Sequence, residues 1–224
     1  MMRYQGKIPT RIAKLPVDVR GYPVPWFVQW FDGKPDFRVM DSRKMARAVK
    51  DRRCWVCGDK FGHLEIMCFV IGPMCGVNRV SAEPPSHREC AEFSVKACPF
   101  LTLPRAQRRE AAFPDAPLQE TGVMLSRNPG VSLLWLTDYY ETFRAPVMKS
   151  AHGNGGEPLS PGIMFTLGDP VECIWYREGR PATRAECVES VDSGMPILRD
   201  AADGGAALAS LEYWHDELAR LMPA

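Results

Sequence analysis

No stretch of this chain is apolar enough to span a bilayer. Its most apolar internal run, Ile66 to Ile71, falls far short of the ~20 residues a membrane helix needs. The N-terminus, MMRYQGKIPTRIAKL, carries charge every few residues, so no signal peptide is expected there and a cytoplasmic setting is. There is no Gly-rich loop ending in Lys-Ser/Thr, no Gly-x-Ser-x-Gly elbow and no His-Glu-x-x-His helix, which removes the chemistries those motifs support. Histidine is scarce: four residues, of which His152 and His215 stand apart from any motif. Net charge is almost nil, at +1 over 224 residues.

What is present describes an ordinary globular chain. Hydrophobic residues make up 46% and charged residues 25%, enough to bury a sizeable core. Twenty prolines and eighteen glycines imply short elements and many turns. The charge is uneven: residues 1–110 hold 20 Lys and Arg against 11 Asp and Glu, a balance of +9, and the remainder hold 8 against 16, a balance of −8. Such asymmetry marks a surface for polyanions or two halves that attract one another. The Pro-rich run Phe113–Pro117 suggests a division into 1–112 and 113–224.

Local patterns give an α+β fold class. Trp26–Phe31 and Phe37–Met40 read as strands joined at Asp32-Gly33, with Lys34-Pro35 pointing to a longer loop. Asp41 is placed to cap a helix over 42–52, with Met45, Ala48 and Val49 on one face. Its other face carries Arg43, Lys44, Arg47 and Lys50, followed by Arg52 and Arg53. A solvated charged face and a phosphate-facing helix are both compatible with that pattern. Pro104 can open a short helix with Arg105, Arg108 and Arg109 on one side. Beyond it, Val131–Thr137 and Ile163–Leu167 read as strands, separated by a Gly- and Pro-rich loop. Gly168-Asp169-Pro170 then predicts a hairpin to Val171–Arg177. Thr183 and Glu186 have capping-box spacing, Gly194 and Pro196 should end that helix, and a last helix over 206–222 should dock through Leu208, Leu211, Trp214, Leu218 and Leu221. Arg177, Arg180 and Arg184 near Gly179 form an anion site or a solvated turn.

The strongest chemistry lies between. Cys54-Trp55-Val56-Cys57-Gly58 is a Cys-x-x-Cys knuckle, which turns two sulfurs toward one ion while the glycine permits the tight backbone. Thirty residues beyond Cys57 comes His87-Arg88-Glu89-Cys90. If Ser86 caps a helix there, after Pro84-Pro85, His87 and Cys90 share one face a turn apart. The set Cys54, Cys57, His87 and Cys90 suits a structural Zn2+ ion. A redox Cys-x-x-Cys should follow a strand and open a helix, and here the preceding segment reads as helical. With no export signal, the eight cysteines are expected as metal ligands or buried thiols. Cys68 fits a buried small hydrophobe, and Cys75 is a competitor for one ligand position.

Knuckle, hairpin, then a helix completing the site: this order resembles the treble-clef zinc fold, with 61–82 as the hairpin and Gly72-Pro73 as its turn. The treble clef is shared by HNH nucleases, in which a hairpin histidine beside an acidic residue activates water. Here His63 has no adjacent Asp or Glu, and Asn78 is the one further residue matching that family's pattern. The motifs CWVCG, FVIGPMCGVNR, EPPSHREC and KACPFL, with Arg127–Gly130 and Trp175–Thr183, are similar to those of an uncharacterised family found in bacteria and their phages. That resemblance implies a shared fold and brings no activity with it.

Three functions therefore stand from sequence. The first is a zinc-stabilised, non-catalytic protein that binds nucleic acid, or a partner that processes it, through Arg43, Lys44, Arg47, Lys50, Arg52 and Arg53. The second is an HNH-like metal-dependent nuclease. The third is a phage-encoded interaction factor whose acidic half contacts a host protein.

Overall fold

The computed structural model describes residues 4–103, 130–144 and 162–224, apart from the side chain of Arg38. The elements are, in order, α1 (Thr10–Ala13), β1 (Val28–Phe31), β2 (Lys34–Met40), α2 (Ser42–Asp51), β3 (Met67–Ile71), α3 (Pro73–Asn78), β4 (Val80–Ser81), α4 (Arg88–Ala97), α5 (Pro99–Thr102), β5 (Ser132–Thr137), β6 (Tyr140–Arg144), β7 (Ile163–Leu167), β8 (Glu172–Arg177), β9 (Arg180–Pro181), α6 (Arg184–Ala201) and α7 (Gly204–Arg220). The class is α+β, as the local patterns predict. Among the described residues the strands form three antiparallel sheets, ordered β1-β2, β3-β5-β8-β9 and β4-β7-β6.

Strand β5 is the spine of the second sheet. All six of its residues are buried, and it pairs with β3 on one side and β8 on the other. Alternation along a strand sends successive side chains to opposite faces, and both faces here are covered. Phe69, Ile71, Leu133 and Trp135 enter the largest core with Phe165, Val191, Met195 and Leu218, which come from β7, α6 and α7. Cys68, Leu134 and Leu136 face the other way, onto Ala91 and Val95 of α4. Cys68 is thus the buried small hydrophobe expected of it. Both sheets cross the 112/113 division, since β3 pairs with β5 and β4 with β7.

Several local expectations need correction. The β1–β2 turn is the two residues Asp32 and Gly33, at φ 45° and 75°, the paired left-handed geometry that matches strand twist. Lys34-Pro35 belongs to β2, where Pro35 opposite Trp30 is tolerated because a two-stranded sheet has free edges. Residues 61–82 are not a simple hairpin. Gly72 caps α3 with Pro73 in its first turn, a position where the missing N–H costs nothing, and β4 goes to a different sheet from β3. Nor do β7 and β8 form a hairpin. The chain turns a corner at Gly168, whose carbonyl accepts from Trp135 Nε1 at 2.9 Å, while Arg79 Nη2 donates to the Leu167 carbonyl at 2.7 Å. Strand β6, which pairs with β7, was hidden in what reads as loop.

Helix α6 begins with the capping box expected: Thr183 accepts from the Glu186 N–H and the Glu186 carboxylate accepts from the Thr183 N–H. It does not stop at Gly194 and Pro196 but continues to Ala201. Pro196 is exposed, so the carbonyl it leaves unbonded can be hydrated. Gly194 is buried where α6 crosses α3; a Cβ there would sit 2.4 Å from Met74 Sδ. The last helix docks as expected through Leu218, Leu211 and Trp214, with Leu208 and Leu221 left near its exposed margin. The helix expected after Pro104 and the Gly153–Gly156 loop lie outside the described residues.

Candidate metal centre

The Cys-x-x-Cys knuckle sits at the tip of a short ladder. Arg53 bridges Lys60, the Cys54 N–H donates to the Asp59 carbonyl at 2.9 Å, and the Phe61 N–H donates to the Arg52 carbonyl at 2.9 Å. The Gly58 N–H closes the turn onto the Cys54 carbonyl at 2.9 Å, with φ +79°. A Cβ at Gly58 would meet the Trp26 ring at 2.6 Å, so both conformation and space require glycine. Trp55 anchors the knuckle from outside, its ring stacked on Phe27 with centroids 4.9 Å apart and its backbone N–H donating to the Pro85 carbonyl.

The second pair comes from α4. The helix is capped by His87, not Ser86, because Ser86 is held in extended pairing with Cys68 by two backbone hydrogen bonds of 2.7 and 2.9 Å. That pairing aims His87 at the knuckle, and Cys90 follows in the first helical turn. Cys90, Phe93 and Ala97 line the side of α4 that faces Cys54, Val56, Cys57 and Ile12. Ala91 and Val95 face the sheet. The metal-side and sheet-side faces of one helix thus tie the site to the core.

The four donor atoms of Cys54, Cys57, His87 and Cys90 lie within 4.8 Å of one another, and all four residues are buried. Tetrahedral zinc with bonds near 2.3 Å to sulfur holds its ligand atoms roughly 3.8 Å apart, so the set fits one ion with little adjustment. His87 Nδ1 lies 3.3 Å from Cys57 Sγ, and the N–H groups of Cys57 and His87 donate to Cys54 Sγ at 3.4 and 3.3 Å. Burial acts to raise the Cys54 thiol, but hydrogen bonds with Cys57, Cys90 and His87 outweigh it and hold Cys54 well below the usual thiol range. The same sharing with Cys54 and Cys57 drives Cys90 upward. Burial acts to lower His87, and its bonds to the Cys54 and Cys57 sulfurs raise it to about 10. Thiolate sulfur is the form a divalent cation takes, so metal binding at such a set is coupled to proton release.

Around the donors lie groups that sequence patterning did not single out. His87 Nε2 faces the Arg11 guanidinium at 2.7 Å and the Glu65 carboxylate at 3.6 Å, and Phe61 lies against the ring at 4.7 Å between centroids. With Nδ1 on a metal, Nε2 keeps the ring proton; Arg11, which can only donate, then shifts off it, and Glu65 is the acceptor within reach. Arg11 pairs with Glu89 at 3.1 Å, and its neighbour Ile12 is 1% exposed against the site. The weakly patterned N-terminal arm is therefore a wall of the centre. One apolar residue in a basic stretch carried no periodic signal. Cys75 lies in α3, outside the cluster.

The six basic residues after β2 do not form a uniform face. Arg43 pairs with the Asp41 cap yet keeps its side chain 82% exposed, and Arg47 lies over the Trp26 ring. Lys50 and Arg52 are exposed. Lys44 donates to the Val28 carbonyl, and Arg53 pairs with Asp51 and donates to the Gly58 carbonyl; these two brace the fold. In the acidic half, Glu186 takes Arg180 and Arg177, Glu172 takes Arg88, and Glu212 takes Arg199. Arg184 donates to the carbonyls of Ala219 and Pro223, so the three arginines near Gly179 serve internal contacts. His63 is exposed, and the Asn78 side chain accepts from the Val80 N–H.

Comparison of the chain with protein-family models, with curated proteins and with solved structures returned no match. No described helix is long and apolar enough to cross a membrane.

Proposed function

We propose that this chain is a zinc-stabilised nucleic-acid-binding protein in which the metal is structural. The zinc half of the reading is carried by the closed, buried Cys54, Cys57, His87 and Cys90 set, and the nucleic-acid half by the exposed basic stripe of α2. Four protein donors complete a tetrahedral sphere and leave no position for a reacting water. Support for a treble-clef-like reading comes from the chain order of the knuckle, the Cys68–Ser86 bridge and α4, with α3 and β4 standing where a simple hairpin would be. Three thiolate ligands suit a reducing compartment.

The binding surface is the outer face of α2. Arg43, Arg47 and Lys50 recur at i, i+4 and i+7, one stripe of a helix, and Arg52 continues it past the last turn. Lys44 and Arg53 belong to the sequence-level patch but act on the protein's own carbonyls and carboxylates. An HNH-like nuclease finds less support, because exposed His63 has no carboxylate partner among the described residues and Asn78 is engaged by its own turn. The test is a mobility-shift titration at several salt concentrations with single- and double-stranded DNA and RNA. Affinity should fall steeply with salt, and Arg47→Glu with Lys50→Glu should flatten that dependence by about one unit of log–log slope per lost phosphate contact. Salt-insensitive binding, or none at low salt, would overturn the reading. Cleavage in magnesium or manganese that is lost in His63→Ala would replace it with the nuclease.

A further inference from the structure

Where the basic stripe of α2 ends, the surface opens into a cavity of about 310 Å³ lined by Val49, Arg52, Met67, Asp138, Tyr139 and Thr142, among others. That volume is at the lower end for a small-molecule site. Its floor is apolar, with Met67 buried, and its rim carries opposite charges. Arg52 touches the Met67 sulfur at 3.9 Å and pairs with no carboxylate among the described residues. Asp138 across the cavity likewise accepts no hydrogen bond from them. A cation and an anion facing one cavity without meeting leave room for a ligand that satisfies both.

The third feature is an aromatic side chain on a fixed turn. Tyr139 is 53% exposed, yet the turn that carries it is fixed. Thr137 Oγ1 donates to the Tyr139 carbonyl at 3.0 Å, and the Tyr139 N–H donates back to that hydroxyl at 3.4 Å. Gly168 packs beneath so closely that a Cβ there would lie 2.4 Å from the Tyr139 carbonyl oxygen. An exposed tyrosine on a fixed turn offers a planar face without the entropy of ordering a loop. Planar face, adjacent guanidinium and opposing carboxylate correspond to the parts of a nucleotide: a base to stack, a phosphate to pair, and an amino edge that donates to a carboxylate.

We propose that this cavity is a subsite for one unpaired nucleotide of a bound strand, selecting bases with an exocyclic amino group. It rests on the nucleic-acid reading above. The strand's backbone runs along Arg43, Arg47 and Lys50, Arg52 takes the phosphate at the cavity mouth, the base lies on Tyr139, and Asp138 accepts from the amino group. A single-stranded substrate is required because a base stacked inside a duplex cannot lay its face on Tyr139.

The experiment is fluorescence anisotropy with the full chain and equal-length labelled oligo-dC, oligo-dA and oligo-dT at low salt. Oligo-dC and oligo-dA should bind at least about fivefold tighter than oligo-dT, which lacks the amino donor. Asp138→Ala should make the three alike, and Tyr139→Ala should weaken all three by about tenfold. Both positions are exposed or half-exposed, and unchanged zinc content and circular dichroism verify the fold of each variant. Equal affinity for the three oligonucleotides alongside steep salt dependence would overturn the subsite and leave the basic stripe standing. A preference that survives in Asp138→Ala would also overturn it. No binding of any oligonucleotide would sink the subsite and the parent reading together.

Discussion

At the scale of single residues, the metal centre depends on side chains whose loss has different consequences. Cys57→Ser or Cys90→Ser removes a thiolate and leaves three donors in a buried cluster. Zinc content measured by elemental analysis should fall from near one per chain to a small fraction, with most of the protein insoluble. Gly58→Ala keeps every ligand but forces a Cβ onto the Trp26 ring at φ +79°. The backbone strain alone costs about 1 kcal/mol, and the rigid ring adds to it. Urea denaturation should therefore show a loss of at least that size, together with weaker zinc retention against a chelator. Glu65→Gln keeps an acceptor for His87 and should retain zinc better than Glu65→Ala.

At the scale of elements, helix α6 offers the cleanest test, because its start is written in side-chain hydrogen bonds. Thr183→Ala should cost about 1 kcal/mol, read from the shift in denaturation midpoint. Glu186 is held down at about 2 by Arg180 first and the Thr183 N–H second. A carboxylate lowered on folding stabilises the protein fully above its unfolded value and loses that contribution as pH falls toward the folded one. The stability gap between wild type and Glu186→Gln should thus be widest near neutrality. It should shrink from about pH 4.5 downward and vanish below about pH 2.

These elements also show what sequence could and could not disclose. The capping box, the Asp41 cap, the Asp32-Gly33 hairpin (though not its two-residue length) and the two Cys-x-x-Cys and His-x-x-Cys pairs are local signals, each written within a few residues. Strand partners are not. Gly72-Pro73 and Gly168-Asp169-Pro170 read as hairpin turns, yet one starts α3 and the other moves the chain between sheets. What decides the second is distant: the Arg79 and Trp135 side chains bond the corner at Leu167 and Gly168. Gly194 and Pro196 misled for a similar reason. The residues that let α6 pass over Met74 and expose one carbonyl look identical to a stop signal. Among the metal ligands' neighbours, Arg11 was invisible because its role comes from a contact 76 positions away.

At the scale of the whole molecule, two features hold the parts together. Leu218 of α7 is 1% exposed in the main core and contacts the region of Gly76 and Leu133. Leu218→Ala should cost about 2–5 kcal/mol, at the level of a buried cavity, seen as a fall in midpoint with little change in slope. Arg79 is the second. Its guanidinium lies between the Trp135 and Trp214 rings, at 4.9 and 4.1 Å, with Nε and Nη1 buried and unpartnered among the described residues. Its carboxylate partner Asp169 is 78% exposed, so removing the cation strands no buried charge, and the loss is of stacking and of the Leu167 hydrogen bond.

Helix α4 connects this core to the candidate metal cluster, one face on β3 and β5 and the other on Cys54 and Cys57, so metal binding there should be felt beyond the knuckle. X-ray absorption at the zinc edge on the purified full chain would measure the centre directly. Three sulfurs at about 2.3 Å and one nitrogen at about 2.0–2.1 Å are expected. A shell of oxygen and nitrogen alone, or a spectrum unchanged in Cys90→Ser, would contradict the account.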